Sequence, residues 1–352
     1  MPSTYCKVIV LLIGGVATLS ATGAAAPSTQ PQSCVILASA PPEGEHAGMA
    51  YIPAGTSTMG SNRHRPEERY SHLVRVDGFW IDRHEVTNAQ FAKFVAGTGY
   101  RTVAERGRSA ETGQPKELEA PGSIVFIMPT DIARGGRITN WFQYVPNANW
   151  RHPEGPNSTI KDRENHPVVH VAYEDALAYA RWLGRSLPTE AQWEYAARGG
   201  RDGEDDWSSA FDPDGKPIAN TWQGIFPVIN TGDDGHAGTA PVGCFRPNGY
   251  GLYDMIGNVW EWTNDWYKPG HSPQLSVEPQ GPSLIDLRIP AGQFPSKVIK
   301  GGSYLCASNY CARYRPAARH PQEIDLGAAH IGFRTVKEGA KQSTGTEGEV
   351  RP

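Results

Sequence analysis

Apolar and polar positions alternate in short runs near both ends of the chain, and short amphipathic stripes lie between them. Met49-Ala50-Tyr51-Ile52, His72-Leu73-Val74-Arg75-Val76 and Phe79-Trp80-Ile81 have the period of two expected of strands. Thr87 followed by Gln90 is a capping-box signature. The stripe Phe91, Phe94 and Val95 then predicts a helix over about 88 to 96, closed by Gly97 to Gly99. His166 to Val171 reads as a strand leading into a helix from Glu174 to Leu183 that turns Ala176, Leu177, Ala180 and Leu183 inward. A second Thr-x-x-Gln pair, Thr189 and Gln192, opens a further helix that Gly199-Gly200 can end, so two packed helices are expected. Lys297 to Lys300 and Ile331 to Val336 predict late strands, the second of them closing the sheet. Residues 101 to 160 and 272 to 296 show no such period and read as irregular chain.

Composition sharpens this outline. Glycine and proline number 39 and 29 of 352 residues, and helical periodicity is confined to a few windows, which predicts a loop-rich α+β fold. No second linker interrupts 46 to 338, so one domain is expected there. Residues 1 to 26 read as a secretory signal, with Lys7, an apolar core from Val8 to Ala17 and small residues from Ala21 to Ala26. Residues 27 to 45 follow as a flexible leader, and 339 to 352 form a polar, disordered tail. The apolar run is shorter than the roughly twenty residues of a spanning helix, so an exported (periplasmic or secreted) monomer without stable membrane insertion is expected. Lys+Arg at 33 nearly balances Asp+Glu at 37 with no basic stripe, which argues against nucleic acid as partner.

Three features carry candidate chemistry. Once Cys6 leaves with the signal, Cys34, Cys244, Cys306 and Cys311 remain, and disulfides are the first expectation for an even number of exported cysteines. Cys306 and Cys311 stand five positions apart behind Gly301-Gly302-Ser303-Tyr304. The Asp- and Gly-rich segment from Arg201 to Pro247, with Asp202, Asp206, Asp214, Asp233 and Asp234, offers hard oxygens suited to Ca²⁺, or else a solvated acidic loop. Arg83-His84-Glu85 invites an acid/base reading, but as a group beside a helix cap it reads first as structural.

Several strings together resemble the formylglycine-generating enzyme family, also called sulfatase-modifying factors. They are Met59-Gly60-Ser61, Glu85-Val86-Thr87-Asn88, Pro167 to Val171, Leu187 to Gly200, Asn248 to Trp262, Gly301-Gly302-Ser303-Tyr304 and Gly332-Phe333-Arg334, in family order. The resemblance implies a C-type-lectin-like fold. It also implies O₂-dependent oxidation of a cysteine to formylglycine in an unfolded sulfatase segment of the type Cys-x-Pro-x-Arg. Cys306 and Cys311 would hold Cu(I) in a near-linear site on a bent strand, with Trp260, Ser303 and Tyr310 lining the pocket. A first calcium site would take Asn220 and Asp234 with the carbonyls of Thr221 and His236. A second would take Asp254 and Glu261 with the carbonyls of Gly257 and Val259.

Departures from the family stand at Pro316 and Thr335, where vertebrate members have cysteine, and at His330, where they have Asn. The resemblance gives Cys34 and Cys244 no role, and a bridge between them is open. The competing reading is a non-catalytic, calcium-stabilised binding module in which Cys306 and Cys311 form a structural disulfide.

Overall fold

Short strands dominate the computed structural model, which describes residues 34, 44–108, 118–129, 141–201, 210–289 and 294–339. All of these belong to one compact unit that begins at Ser33. The expected signal, most of the leader and nearly all of the tail lie outside the described residues. In chain order the elements are β1 (Met49–Ile52), β2 (Gly55–Met59), β3 (His72–Val76), β4 (Phe79–Asp82), α1 (Asn88–Thr98), α2 (Val103–Arg106), β5 (Gly122–Phe126), β6 (Phe142–Pro146), α3 (Tyr173–Trp182), α4 (Glu190–Arg198), β7 (Trp260–Trp266), β8 (Ser276–Val277), β9 (Ser296–Lys300), β10 (Arg319–Glu323), β11 (Ile331–Gly332) and β12 (Val336–Glu338).

The strands form small sheets ordered β1-β4-β12, β10-β9-β7-β11, β2-β3-β8 and β5-β6. Ala50 and Val336 both register against Ile81, so the two ends of the domain close one sheet. Both predicted capping boxes form. Thr87 and Gln90 exchange side-chain and backbone bonds at the start of α1, Thr189 and Gln192 do so at α4, and left-handed Gly99 and Gly199 end the two helices. The helices from 174 and 189 do not pack on each other as a pair. Instead α3 lies against α1, and α4 lies against β2, β3, β7 and β9.

The expected strand at 166 to 171 is irregular chain with one bridge, Thr87 to Pro167. Pro167 has no N–H for a ladder, and His170 adopts a left-handed φ of 61°. That turn buries the His170 ring, whose Nε2 lies 2.8 Å from the Pro153 carbonyl and whose Nδ1 lies 2.9 Å from Ser123 Oγ. The imidazole thus braces β5, within a region whose sequence had read as irregular but which contains α2 and the β5–β6 hairpin. The closing strand also divides. Ile331-Gly332 pairs parallel with Trp260-Glu261, then Arg334 turns inward before Val336 joins β4.

Two apolar clusters hold these layers. One gathers Phe91, Trp150, Tyr179, Trp262 and Phe333 with Cys306 and Cys311, and the other Ile52, Val76, Phe79, Ile81, Trp193 and Leu252. Ion pairs tie α4 to the last strands. Lys300 Nζ lies 2.9 Å from Glu194 and Arg319 lies 2.7 Å from Glu190, with all four side chains buried. Burial opposes ionisation of Glu194, yet Lys300 and Arg198 hold its carboxyl down at about 2.

Asp265 behaves in the opposite sense. Burial, then the nearby Glu190 carboxylate, pushes it up to about 7, although it accepts the Glu190 N–H at 2.7 Å. With its folded value raised, its contribution to stability is complete below the ordinary carboxylate range and is lost as pH rises through about 7. Asp265→Asn keeps the acceptor without the charge. Denaturant midpoints between pH 4 and 8 should therefore fall less with rising pH in the variant than in the wild type; identical slopes would refute the assignment.

Candidate active site and metal centres

Glycine places the cysteines. Gly301 and Gly302 leave β9 with φ of 94° and 76°, and a Cβ on Gly302 would lie 2.9 Å from the Arg313 carbonyl. The following chain is a compact turn, not the bent strand expected. Cys306 N donates to the Ser303 carbonyl at 2.8 Å, and Cys311 N donates to the Ala307 carbonyl at 3.1 Å. From outside the turn, Trp222 N binds the Cys306 carbonyl at 3.1 Å and Arg65 Nη2 binds the Cys311 carbonyl at 2.7 Å. Cys306 and Cys311 are paired as a disulfide with Cα atoms 4.7 Å apart, and both are buried.

A cavity of about 350 Å³ opens beside this pair, and all five residues expected at the active site line it: Trp260, Ser303, Cys306, Tyr310 and Cys311. Ser303 is fully buried, and Trp260 begins β7. Tyr310 is 46% exposed and stacks on Phe226 with ring centroids 4.2 Å apart. Ile124 and Phe142 of the hairpin form part of the wall, together with His320 and His330. The hairpin and His320 carried no periodic signal in the sequence, because their place in the wall is set by residues that only the fold brings together. A second cavity, about 360 Å³, is lined by Val125, Arg163, His166 and Tyr304 and includes none of the five.

The two expected calcium groups are each brought together by the fold. At the first, the Asp234 carboxylate accepts from Thr221 N, Gln223 Nε2 and His236 N at 2.9 to 3.0 Å. Burial nevertheless raises its pKa. Asn220 Oδ1 and Gln223 Oε1 are buried acceptors with no partner, which suits a hard cation. The Thr221 carbonyl, expected as a ligand, accepts from Gln223 Nε2 instead.

At the second group, Gly257 has φ of 78°, and a Cβ there would lie 2.3 Å from the Asn220 carbonyl, so the loop can close only with glycine. Glu261 is not a free ligand. Arg334 grips its two oxygens at 2.7 Å each, and Trp193 Nε1 donates to it at 2.8 Å. The unpartnered oxygen belongs to Glu85 Oε2. Burial, then Asp254, raises the Glu85 pKa well above the carboxylate range, and burial also raises Asp254, to about 6. Burial and mutual repulsion thus oppose ionisation of Glu85 and Asp254, and a divalent cation bound between them would favour their charged forms. Glu85 was read in the sequence as a cap-side structural group, because only the fold sets it opposite Asp254. Among the described residues no group of three or more His, Cys, Asp or Glu side chains converges on one metal position. Amide and carbonyl oxygens would therefore have to complete either site.

Cys34 and Cys244 are also bridged, with S–S 2.03 Å, so part of the leader is tied to the domain.

Comparison with known proteins agrees with this geometry. Residues 37–339 match the sulfatase-modifying factor enzyme 1-like domain. The formylglycine-generating enzyme of Mycobacterium tuberculosis is 50% identical over 297 residues, covering 82% of this chain and 96% of that protein. The Bos taurus enzyme of the same name is 46% identical over 294 residues, covering 82% and 74%. The inactive C-alpha-formylglycine-generating enzyme 2 of Mus musculus is 36% identical over 302 residues, covering 83% and 86%. Among solved structures, PvdO from Pseudomonas aeruginosa superposes with a TM-score of 0.56 at 24% identity, covering 88% of this chain and 100% of that one, which speaks to the fold alone. With its paired cysteines lining the cavity and a match running through the whole domain, the chain belongs to the formylglycine-generating, sulfatase-modifying-factor family.

Proposed function

We propose that this protein activates sulfatases by converting a cysteine of the sulfatase polypeptide to Cα-formylglycine, and that it does so with copper and O₂ on a Cys-x-Pro-x-Arg segment. The observation that carries the reading is the Cys306–Cys311 pair lining the cavity of about 350 Å³, within a chain 50% identical over 297 residues to a formylglycine-generating enzyme. Conversion of CH₂SH to CHO with release of sulfide is a two-electron oxidation that consumes one water. One O₂ accepts those two electrons and two more from an external thiol reductant, and the oxygen leaves as water.

Once reduced, Cys306 and Cys311 are a pair of soft donors of the type that selects Cu(I). Bound there, copper would supply the reaction with O₂. The chain's own residues do the rest. Trp260, Ile124 and Phe142 supply apolar wall beside the sulfurs. Ser303, buried and accepting the Leu305 N–H on its hydroxyl oxygen at 3.3 Å, offers a hydroxyl in the same wall. Tyr310, half exposed, stands at the mouth, where a substrate segment enters.

The test is conversion of a Cys-x-Pro-x-Arg peptide by reduced protein with and without Cu(I), read as aldehyde by mass spectrometry and hydrazone trapping. Copper-loaded protein that yields no aldehyde refutes the reading. The second reading, a binding module with a structural disulfide, is favoured by the observed pairing of the two cysteines and predicts that outcome.

We also infer that Ca²⁺ binds at both carboxylate groups and that the protein works in an exported compartment. The Cys34–Cys244 bridge is consistent with oxidising surroundings. Removing calcium should lower the melting temperature, because a ligand held by the native state stabilises it by about 2.7 kcal/mol at a hundred times its Kd. An unchanged melt after verified removal counts against both sites.

A further inference from the structure

The C-terminal half of the cysteine turn rests on a single 3₁₀ turn, Pro66–Glu68, in the connection between β2 and β3. Glu68 is fully buried and meets Arg315 through two bonds, of 2.6 and 2.7 Å. Glu67, half-buried, accepts from Arg313 on one oxygen, Nη2 at 2.6 Å and Nε at 3.2 Å. Arg65, immediately before the turn, is engaged differently from both of these arginines. Its Nη2 donates to the Cys311 carbonyl at 2.7 Å, and among the described residues no carboxylate is ion-paired with it. Arg65 is also absent from the lining of the thiol cavity, so it reaches the site only through the cysteine backbone.

Charge balance singles out the same residue. The guanidiniums of Arg65, Arg313 and Arg315 face the carboxylates of Glu67 and Glu68, and the cation left over is Arg65. A guanidinium stays protonated in a protein. On the cavity side, Arg313 is offset by Glu67, and His320 and His330 are neutral because burial lowers the pKa of each. Burial also raises the pKa of the Tyr314 phenol, which stays uncharged. Three bonds separate the Cys311 carbonyl carbon from its sulfur, so a cation held on that carbonyl is close to any charge the sulfur carries. The disulfide and the dithiol are neutral, whereas Cu(I) between two thiolates bears a net negative charge. A fixed cation beside them favours the charged form.

We propose that Arg65 is a positioning residue that acts through Cys311: its guanidinium holds the carbonyl, and its uncompensated charge strengthens the grip of the reduced cysteine pair on Cu(I). This rests on the copper reading above and adds a control of metal affinity placed outside the cavity. The two parts of the role are separable. Lysine keeps the charge without the planar fork, and glutamine keeps a neutral donor without the charge.

The test is Cu(I) affinity of the reduced full-length protein, measured by competition with a chromogenic chelator and so apart from turnover. Arg65→Gln and Arg65→Met should each raise the Cu(I) Kd about tenfold, the scale of one nearby unit charge in a half-exposed setting. Arg65→Lys should stay within about threefold of wild type. The gap between wild type and Arg65→Gln should narrow as salt is raised from about 0.05 to about 0.5 M, which a purely structural role would not produce. In peptide conversion at limiting copper, Arg65→Gln should turn over more slowly, and excess copper should restore it with the KM for peptide unchanged. Wild-type Cu(I) affinity in Arg65→Gln, or an Arg65→Lys variant as weak as Arg65→Met, overturns the proposal. Melting curves under reducing conditions check the fold of each variant, and if Arg65→Met unfolds, the comparison of glutamine with lysine decides. Wild type that binds Cu(I) but yields no aldehyde removes the sulfatase reading, while the affinity series still decides the role of Arg65.

Discussion

Cys306→Ser and Cys311→Ser should each reduce peptide conversion by at least about a thousandfold, and the double variant should be no worse than either single one, as for groups that act as a unit. The reasoning is local. Both sulfurs sit on one turn whose backbone is pinned by Ser303, Ala307, Trp222 and Arg65, so a serine changes donor softness without moving the loop. Compared under reducing conditions, the melting temperatures of the variants should stay close to that of wild type. A second readout is Cu(I) binding by competition with a chromogenic chelator, which each substitution should abolish. Substantial turnover in either variant would show that the pair is not the reacting centre.

Arg334→Met should destabilise the fold by about 3–5 kcal/mol, the cost of leaving a buried charge without its partner. Arg334 and Glu261 are both within 1% of full side-chain burial, and the guanidinium meets the carboxylate through two bonds of 2.7 Å. It also donates to the carbonyls of Asp82 and Tyr253, which joins β4, β7 and the loop before β7. Without it, Glu85, Asp254 and Glu261 lose the guanidinium they share. Arg334→Met combined with Glu261→Gln should recover part of the loss, since a neutral pair leaves no buried charge. Urea or guanidinium midpoints measure the effect. A loss below about 1 kcal/mol would mean that the guanidinium is only a surface-like pair.

How much of this was legible beforehand varied with the range of the interaction. The capping boxes at Thr87 and Thr189 and the glycine stops at Gly99 and Gly199 were readable because cap chemistry acts across three or four residues. The strands at 49, 72 and 79 were readable because one face of each is buried, which imposes a period of two, whereas the short strand at 297 is buried on both faces. His166 to Val171 misled for the same reason. Its apolar positions are buried as a strand's would be, but Pro167 and the left-handed His170 prevent a ladder. The hairpin at 122 and 142 was missed because its strands lie far apart in sequence with no tight-turn signal between them, and its inner face meets a cavity rather than a regular core.

At the site itself, the sequence alone was enough to determine the cysteine pair and its glycine-rich approach, because these occupy one short run of chain in which spacing and identity suffice. Trp260 came with them through the ordered motifs of the family. Only the tertiary structure decided that the pair lies on a turn and not a strand, that Glu261 is committed to Arg334 while Glu85 holds the unpartnered oxygen, and that His320 and His330 face one cavity. The physical reason is common to all three. Burial and charge are set by groups distant in sequence, and no local pattern encodes which distant partner will arrive.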